Sequence, residues 1–312
     1  MSRSSQTPKS LSHPSYWTTW FGVALFWLLG QLPWRMLLGL GRTIGRLAWW
    51  LAPSRRRIVE TNLALCFPEQ SAHQRHGFAK AVMRSTGEAM TEIAGAYVSL
   101  HFNARERLEI TGLEHLTRAQ ESGQGVLLLG MHFNTIDIGA RLLGEGAGVR
   151  FSVVYRPNDN AVLDWLIKRG RSQYVDRYID RADMRGLVRE LRAGGICWYA
   201  PDQDYGTDNA VFAPFFGVPA ATIATTGRIA RMGKAVVVPC SHYRLPGGRY
   251  RICFDAPLDD FPTGDDLGDC TRVNQAIEHA VLRAPEQYLW VHRRFKHQPD
   301  GRQLYAARKR RR

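Results

Sequence analysis

Cysteine is sparse in this chain, with five residues in 312. None of the five forms a CxxC pair, and the odd total leaves one without a disulfide partner. The pattern predicts buried, reduced thiols and a main domain in the cytosol. The five positions are Cys66, Cys197, Cys240, Cys253 and Cys270.

Several catalytic motifs are missing as well. The sequence has neither the GxSxG elbow of a serine hydrolase nor a GxxxxGKS/T phosphate loop. Glycines at 39, 41 and 45 follow no predicted strand, so they do not make a dinucleotide fingerprint. The sequence therefore implies no cofactor.

Acidic residues are few: 28 oppose 42 lysines and arginines, which gives a formal net charge of +14. This balance predicts an anionic partner, whether a membrane surface, a nucleic acid, an acidic protein or a phosphorylated substrate. The tryptophans cluster in an uncharged N-terminal run instead of alternating with basic residues. That arrangement disfavours a nucleic-acid surface.

The uncharged run covers 19 residues, 16–34, close to the bilayer core in length if helical. Because Gln31 and Pro33 interrupt it, a shallow or tilted insertion suits it as well as a transmembrane helix. Residues 36–51 read as an amphipathic interfacial helix, and the basic run 55–57 is placed to meet anionic headgroups. We expect a retained membrane anchor at 16–52, not a cleaved signal peptide.

Beyond the anchor, short apolar runs alternate with helical patterns in the α/β manner. We divide the chain into a basic N-terminal tail (1–15), the anchor (16–52), a main domain (53–298) and a basic C-terminal tail (299–312). Helices are predicted at 78–100, 137–143, 161–171 and 184–192, and strands at 126–129, 149–155, 196–200, 235–240 and 250–254.

A histidine and an aspartate flank the end of the most apolar strand. His132 falls in the turn after 126–129, and Asp137 in the first turns of the next helix. A carboxylate there is placed to hold one ring nitrogen protonated, which leaves the other to accept a proton from a hydroxyl. The same spacing recurs at His101 and Glu106 in a polar stretch, so a structural histidine or a capping contact is the alternative.

Four ordered blocks carry a more specific signal. Through them the chain resembles the lipid A biosynthesis acyltransferases of the late, lauroyltransferase type, within the lysophospholipid acyltransferase superfamily. Many close relatives have glutamate where this chain has Asp137, a difference of one methylene that leaves the chemistry intact. The blocks are GMHFNTID at 130–137, VYRPNDN at 154–160 with LDW at 163–165, WYAPDQDYG at 198–206 with VFAPFF at 211–216, and PEQYLWVHRRF at 285–295.

The resemblance implies a glycerolphosphate-acyltransferase-like fold, with a mixed central sheet flanked by helices and an N-terminal membrane-anchoring helix. It also implies transfer of a fatty acyl group, which we expect to be lauroyl, from acyl carrier protein to a hydroxyl of the Kdo-bearing lipid A precursor. The implied location is the inner membrane, with the catalytic domain on its cytoplasmic face. His132 is then the general base and Asp137 fixes its tautomer, without a covalent acyl-enzyme.

Further polar residues complete the predicted site. The family pattern points to Arg171 and Asp202; for Arg171 a cation at a helix C-terminus is an equal alternative. Asp202 and Asp204 follow strand 196–200, where α/β proteins place site residues, although a turn also explains them. Arg156 contacts either the phosphosugar acceptor or Asp159. Two aspartates alone do not define a metal site, so we predict no metal.

Two alternatives remain at this stage. A glycerophospholipid acyltransferase uses the same histidine and aspartate, although such enzymes usually lack the blocks at 198–206 and 285–295. A basic, membrane-bound adaptor with a structural His132 and Asp137 is the non-enzymatic alternative. The acyl chain length and the hydroxyl acylated are not encoded in any motif we can identify.

Overall fold

The computed structural model describes residues 10–305, so most of the N-terminal tail and the arginine-rich end of the C-terminal tail lie outside the described residues. The helices are α1 Trp17–Gly30, α2 Trp34–Leu51, α3 Pro53–Cys66, α4 Ala72–Val98, α5 Ala104–Arg107, α6 Leu113–Glu121, α7 Ile136–Arg141, α8 Ala161–Arg171, α9 Met184–Arg192, α10 Thr225–Gly233 and α11 Asp266–Arg283. The strands are β1 Leu108–Thr111, β2 Gly125–Leu129, β3 Phe151–Tyr155, β4 Val175–Asp180, β5 Ile196–Tyr199, β6 Ala210–Phe215, β7 Val218–Ile223, β8 Ala235–Leu245 and β9 Arg249–Phe254.

Seven strands form one mixed sheet in the order β1-β9-β8-β2-β5-β3-β4. All neighbours are parallel except the hairpin of β8 and β9. Strand β2 lies at the centre and is buried along its whole length, as expected of a parallel strand covered on both faces. The predicted mixed sheet flanked by helices is therefore confirmed.

The two faces of the sheet build two separate apolar clusters because successive side chains of a strand point to opposite sides. Leu127 and Leu129 of β2 pack with residues of α3, α4, α9 and α11. Val126 and Leu128 pack on the other face with residues of α2, α6 and α7. The carboxyl ends of β2, β5 and β3 meet at one edge, between these two layers.

The N-terminal segment forms two helices with a break at residues 31–33. Helix α2 packs closely on α4, and a Cβ added to Gly87 would lie 2.2 Å from the Gly41 carbonyl oxygen. Only glycine permits this approach. The opposite face of α2 exposes Met36, Leu40, Leu47 and Trp50. Within residues 10–305, no helix combines the length and the hydropathy needed to cross a membrane.

The helices and strands predicted from the sequence are all present, with shifted ends. Helix α4 begins six residues before the predicted start, where Ser71 and Gln74 form a capping box. Strand β8 continues five residues past the predicted end. All five cysteines are buried and free, as predicted.

Candidate active site

His132 lies in the loop between β2 and α7. The segment after Pro285 fixes this loop from outside: Asn134 N donates to the Gln287 carbonyl oxygen at 2.7 Å, and Leu289 N donates to the His132 carbonyl oxygen at 3.0 Å. Phe133 and Tyr288 form an antiparallel bridge between the two segments. The first and last of the four sequence blocks therefore build one structural unit.

Asp202 is the carboxylate that holds the His132 ring. Its Oδ1 lies 2.5 Å from Nδ1, and its Oδ2 accepts from the His132 backbone N–H at 2.8 Å. Asp202 is fully buried at the end of β5, the parallel neighbour of β2. Because a carboxylate only accepts hydrogen bonds, Nδ1 carries the proton and Nε2 is left as the basic nitrogen.

The charge of Asp202 also changes the pKa of His132. Burial by itself lowers the pKa of His132, but the adjacent Asp202 carboxylate outweighs burial, so the pKa of His132 is raised above its usual value. The charge of His132 in turn holds the pKa of the Asp202 carboxyl below its usual range, although burial acts in the opposite direction. The pair therefore favours an imidazolium facing a carboxylate.

Asp137 makes different contacts from those predicted. It lies in the first turn of α7 as expected, but it binds the Arg171 guanidinium and accepts from the Tyr97 hydroxyl at 2.7 Å. The prediction that Asp137 holds the His132 ring nitrogen is therefore wrong, because Asp202 occupies that position. Asp137 still adds to the raised pKa of His132 through its charge.

Arg171 is the last residue of α8, and its side chain binds Asp137. Asp137 raises its pKa further although burial opposes this, so the guanidinium is permanently charged. Its plane lies over the Tyr97 ring, 5.5 Å from the ring centroid. Arg171 contacts both Asp137 and Tyr97, so it does more than place a cation at the C-terminus of α8.

The other two predicted residues, Asp204 and Arg156, make no hydrogen bond to His132. Asp204 is buried and binds His297, with 2.6 Å between Oδ1 and Nδ1 and 2.9 Å between Oδ2 and the backbone N. Arg156 is exposed and pairs with no acidic group between residues 10 and 305, so the salt bridge to Asp159 considered above is absent. No group of three potential metal ligands occurs within that same range.

A narrow cavity lies between α7 and the sheet, and His132 is not among the residues that line it. Its free volume is about 60 Å³, and its walls are mostly apolar, with Leu143, Phe151, Val175 and Ile252 among them. Arg171 and His242 also line it. His242 lies within β8, and burial lowers the pKa of this histidine to about 4. No motif marks His242 in the sequence, because it follows a mostly apolar run within β8.

Two larger grooves lie nearby. One, of about 500 Å³, runs between α1, the end of α4 and α8, and is lined by Trp20, Trp27 and Trp165 together with Arg169. The other, of about 890 Å³, lies between α3 and the C-terminal segment and includes Arg57 and Arg293. We call them the α1 groove and the α3 groove.

Comparison with known proteins identifies the family. The model of the bacterial lipid A biosynthesis acyltransferases matches residues 5–297. The chain is 39% identical over 297 residues to the lipid A biosynthesis lauroyltransferase of Escherichia coli K12, covering 94% of this chain and 95% of that one. It is 38% identical over 291 residues to the palmitoleoyltransferase (93% and 94% covered) and 30% identical over 295 residues to the myristoyltransferase (94% and 91% covered), both of that organism. The chain belongs to the bacterial lipid A biosynthesis acyltransferase family, and it is an enzyme of that class.

Proposed function

We propose that this acyltransferase moves a lauroyl group from acyl carrier protein to a hydroxyl of the Kdo-bearing lipid A precursor. The observation that carries the proposal is the pairing of His132 Nδ1 with Asp202, which leaves Nε2 as the basic nitrogen. The lauroyl assignment follows the name of the 39% identical relative. Other relatives are named for palmitoleoyl and myristoyl transfer. The length of the transferred acyl chain is therefore the first property to measure.

In the proposed reaction, His132 Nε2 takes the proton of the acceptor hydroxyl while the hydroxyl oxygen attacks the thioester carbonyl. The tetrahedral oxyanion collapses, the carbon–sulfur bond breaks, and the leaving thiolate takes the proton back from the imidazolium. Asp202 stabilises the imidazolium between these steps. Transfer is direct, with no acyl-enzyme. Arg171 supplies positive charge near the developing oxyanion, and Asp137 holds Arg171 in place.

The two grooves suit the two substrates. The α1 groove is lined by tryptophans and by Arg169, a combination suited to the acyl chains and phosphates of a lipid acceptor. Around the α3 groove, Arg55, Arg57, Arg293 and Lys296 are exposed and form no ion pair within the described part of the chain. Such a cationic surface suits an acidic carrier protein. Arg156 is free to reach the acceptor phosphosugar.

Attachment to the cytoplasmic face of the inner membrane is part of the proposal. Helix α1 exposes Trp17, Phe21 and Leu25, and α2 adds its own apolar face. Basic side chains at Arg35 and Arg46 flank that face of α2, as in helices that lie at a bilayer surface. The same surface would bring the α1 groove to the lipid acceptor.

The test measures transfer of labelled lauroyl to a tetra-acylated, Kdo-bearing precursor by detergent-solubilised protein. His132→Ala is expected to lower kcat/KM by about 10³-fold or more, because the general base is removed. His279→Ala is the matched control, since His279 is exposed on α11. Lauroyl-CoA in place of lauroyl carrier protein tests the donor, and myristoyl and palmitoleoyl carriers test the chain. Full activity in His132→Ala would refute the assigned base.

A further inference from the structure

Two arginines occupy adjacent positions at the carboxyl edge of the sheet, one after β3 and one after β4. They are Arg156 and Arg181, and we call them the arginine pair. The ladder between the two strands ends at Tyr155 and Asp180, with a bond from Arg181 N to the Tyr155 carbonyl oxygen at 3.0 Å. The next bond would need an N–H at Pro157, which has none. Arg156 and Arg181 are therefore the register positions that follow the last paired residues.

The arginine pair is suited to bind an anion. Both side chains are exposed, and within residues 10–305 neither forms an ion pair or a side-chain hydrogen bond. Side chains at opposed positions of neighbouring strands leave the same face of a sheet, from Cα atoms about 5 Å apart. Two guanidinium groups placed there repel each other, and an anion between them removes the repulsion. Each can present two parallel N–H groups to the oxygens of a phosphate or a carboxylate.

The acidic residues next to the arginine pair in the sequence are bound to the backbone. Asp180 Oδ1 accepts from Ala182 N at 2.8 Å, and Asp183 Oδ1 accepts from Gly186 N at 2.8 Å. These contacts fix the turn after β4, while Pro157 restricts the backbone after β3. Both arginines therefore project from ordered backbone, which lowers the entropy lost when a ligand binds.

The arginine pair lies beside the loop that carries Asp202. In the sheet, β3 lies between β4 and β5, and neighbouring strands are about 5 Å apart. Tyr205 belongs to the loop after β5, and its hydroxyl donates to the Ala200 carbonyl oxygen at 3.4 Å. Burial raises the pKa of Tyr205 to about 12, the Asp202 carboxylate raises it as well, and the Arg181 guanidinium lowers it. One side chain is thus close enough to feel the charges of both Asp202 and Arg181.

The chain after Arg156 leads from this edge to the α1 groove. Asn160 caps α8, and its Nδ2 donates to Thr19 Oγ1 of α1 at 3.1 Å. Helix α8 then contributes Trp165 and Arg169 to the α1 groove. The arginine pair is therefore connected on one side to the loop of the catalytic histidine and on the other to the groove that suits the lipid acceptor.

We propose that Arg156 and Arg181 together bind one phosphate group of the lipid acceptor and thereby position its hydroxyl for transfer. The inference rests on the proposed function, which supplies the acceptor, and it adds Arg181 as a residue that determines acceptor specificity. A phosphomonoester carries a charge of about −2 near pH 7 and three acceptor oxygens, enough for two guanidinium groups at once.

A sugar carboxylate of the acceptor is the other anion with this chemistry. It carries a single charge and two oxygens, which one bidentate guanidinium already satisfies, so it suits one arginine better than two. Two arginines at adjacent register positions therefore favour the phosphate.

The experiment measures lauroyl transfer to the Kdo-bearing precursor before and after removal of its phosphates by a phosphatase. Arg181→Ala is expected to raise KM for the phosphorylated acceptor about tenfold and to leave kcat within about threefold, because a contact away from the reacting atoms acts equally before and during the reaction. Arg156→Ala should do the same. Arg181→Lys keeps the charge but loses the bidentate geometry, so its KM should lie between those of wild type and Arg181→Ala.

The dephosphorylated acceptor provides the decisive comparison. On it, wild type and Arg181→Ala should have the same KM, because the group that Arg181 binds is gone. Arg118→Ala is the matched control and should match wild type on both acceptors. Arg118 is exposed near the end of α6, which leads into the amino end of β2 at the opposite edge of the sheet.

The outcomes separate this inference from the proposed function. An unchanged KM in Arg181→Ala, with active wild-type protein, would overturn the phosphate site and leave the acyltransferase assignment intact. An equal rise of KM on the dephosphorylated acceptor would mean that the pair binds another anion, and a rise of KM for the acyl carrier protein alone would place the pair on the donor; either result refutes the inference. No transfer by wild type to the phosphorylated precursor would refute the proposed lauroyl reaction itself.

Discussion

The loop after β5 carries two aspartates, and each one binds a histidine in the same way. Asp202 accepts from the backbone N–H and Nδ1 of His132, and Asp204 accepts from the backbone N–H and Nδ1 of His297. The distances agree within 0.1 Å, and both carboxylates are buried. Geometry of the pair alone therefore does not distinguish a catalytic base from a structural contact.

The residues around each histidine distinguish the two pairs. Asp137, which adds to the raised pKa of His132, binds the permanently charged Arg171, and Trp198, whose ring centroid lies 6.4 Å from that of His132, lines an apolar cavity together with Arg171. His297 instead ties the C-terminal segment to the β5 loop, and the next residue, Gln298, is buried against the Pro219 carbonyl oxygen. We infer that one pair performs chemistry and that the other positions the loop which carries Asp202. The comparison predicts losses of activity of very different size from the same substitution in the two pairs.

The largest expected effect is the difference between Asp202→Asn and Asp204→Asn. Asparagine offers one acceptor oxygen to two N–H donors, so in Asp202→Asn the Nδ1 proton is no longer held and Nε2 becomes protonated. We expect kcat/KM for lauroyl transfer to fall by about 10³-fold or more. Asp204→Asn suffers the same loss of an acceptor but touches no reacting group, so its activity should fall by less than about tenfold.

Equal burial of the two carboxylates makes these variants a matched pair for stability. Thermal unfolding of both, followed by circular dichroism, checks that each remains folded at the assay temperature. Equal losses of activity in two folded variants would contradict the division into a catalytic and a positioning pair. A larger loss in Asp204→Asn would reverse the assignment.

Part of this site was predictable from the sequence. Strand β2 and the turn at His132 follow from an apolar run between glycines, and Asp202 and Asp204 were recognised at the end of β5. The partner of His132 was not predictable. Its contact depends on β5 lying next to β2 in the sheet, and strand order is a property of tertiary packing that local periodicity does not record. Tyr97, His242 and Gln287 were missed for the same reason.

Prediction of the helices and strands from the sequence is limited in a similar way. The long helix α4 and the fully apolar strand β2 are predicted because their periodicity is strong, whereas the helices α3 and α11 are not predicted from the sequence. The hairpin of β6 and β7 was missed because Pro214 and Pro219 face each other within it, and proline disfavours a strand assignment. Strand β4 was missed because it is an edge strand with mostly polar residues. Such elements exist because of the neighbours they pair with.

A smaller effect is expected when the Asp137–Arg171 pair beside His132 is broken. Asp137→Ala leaves a mostly buried guanidinium and the Tyr97 hydroxyl without their partner. The free energy of unfolding should fall by about 3 kcal/mol, and kcat/KM by about 10²-fold, because Arg171 loses its position. Asp137→Glu is the control and should retain both properties. Urea denaturation and the transfer assay measure them. Unchanged stability with abolished activity would place Asp137 on the reacting atoms instead.

The smallest expected effect concerns the pH dependence, which also separates the two histidines. In the proposed reaction His132 acts as a base only when neutral, and the Asp202 carboxylate raises the pKa of His132 against the effect of burial. Below that raised pKa the ring is protonated and inactive, so kcat/KM should rise with pH through an apparent pKa above 6.5, the ordinary histidine value. His297→Asn should leave this apparent pKa unmoved, because Asp202 and Asp137 are the groups whose charges raise the pKa of His132, even if the substitution slows turnover by loosening the β5 loop. A profile of kcat/KM from pH 5 to 9 for wild type and His297→Asn measures both. A shift of the apparent pKa in His297→Asn would mean that the second pair is electrostatically part of the catalytic site, and the distinction between the two pairs would fail.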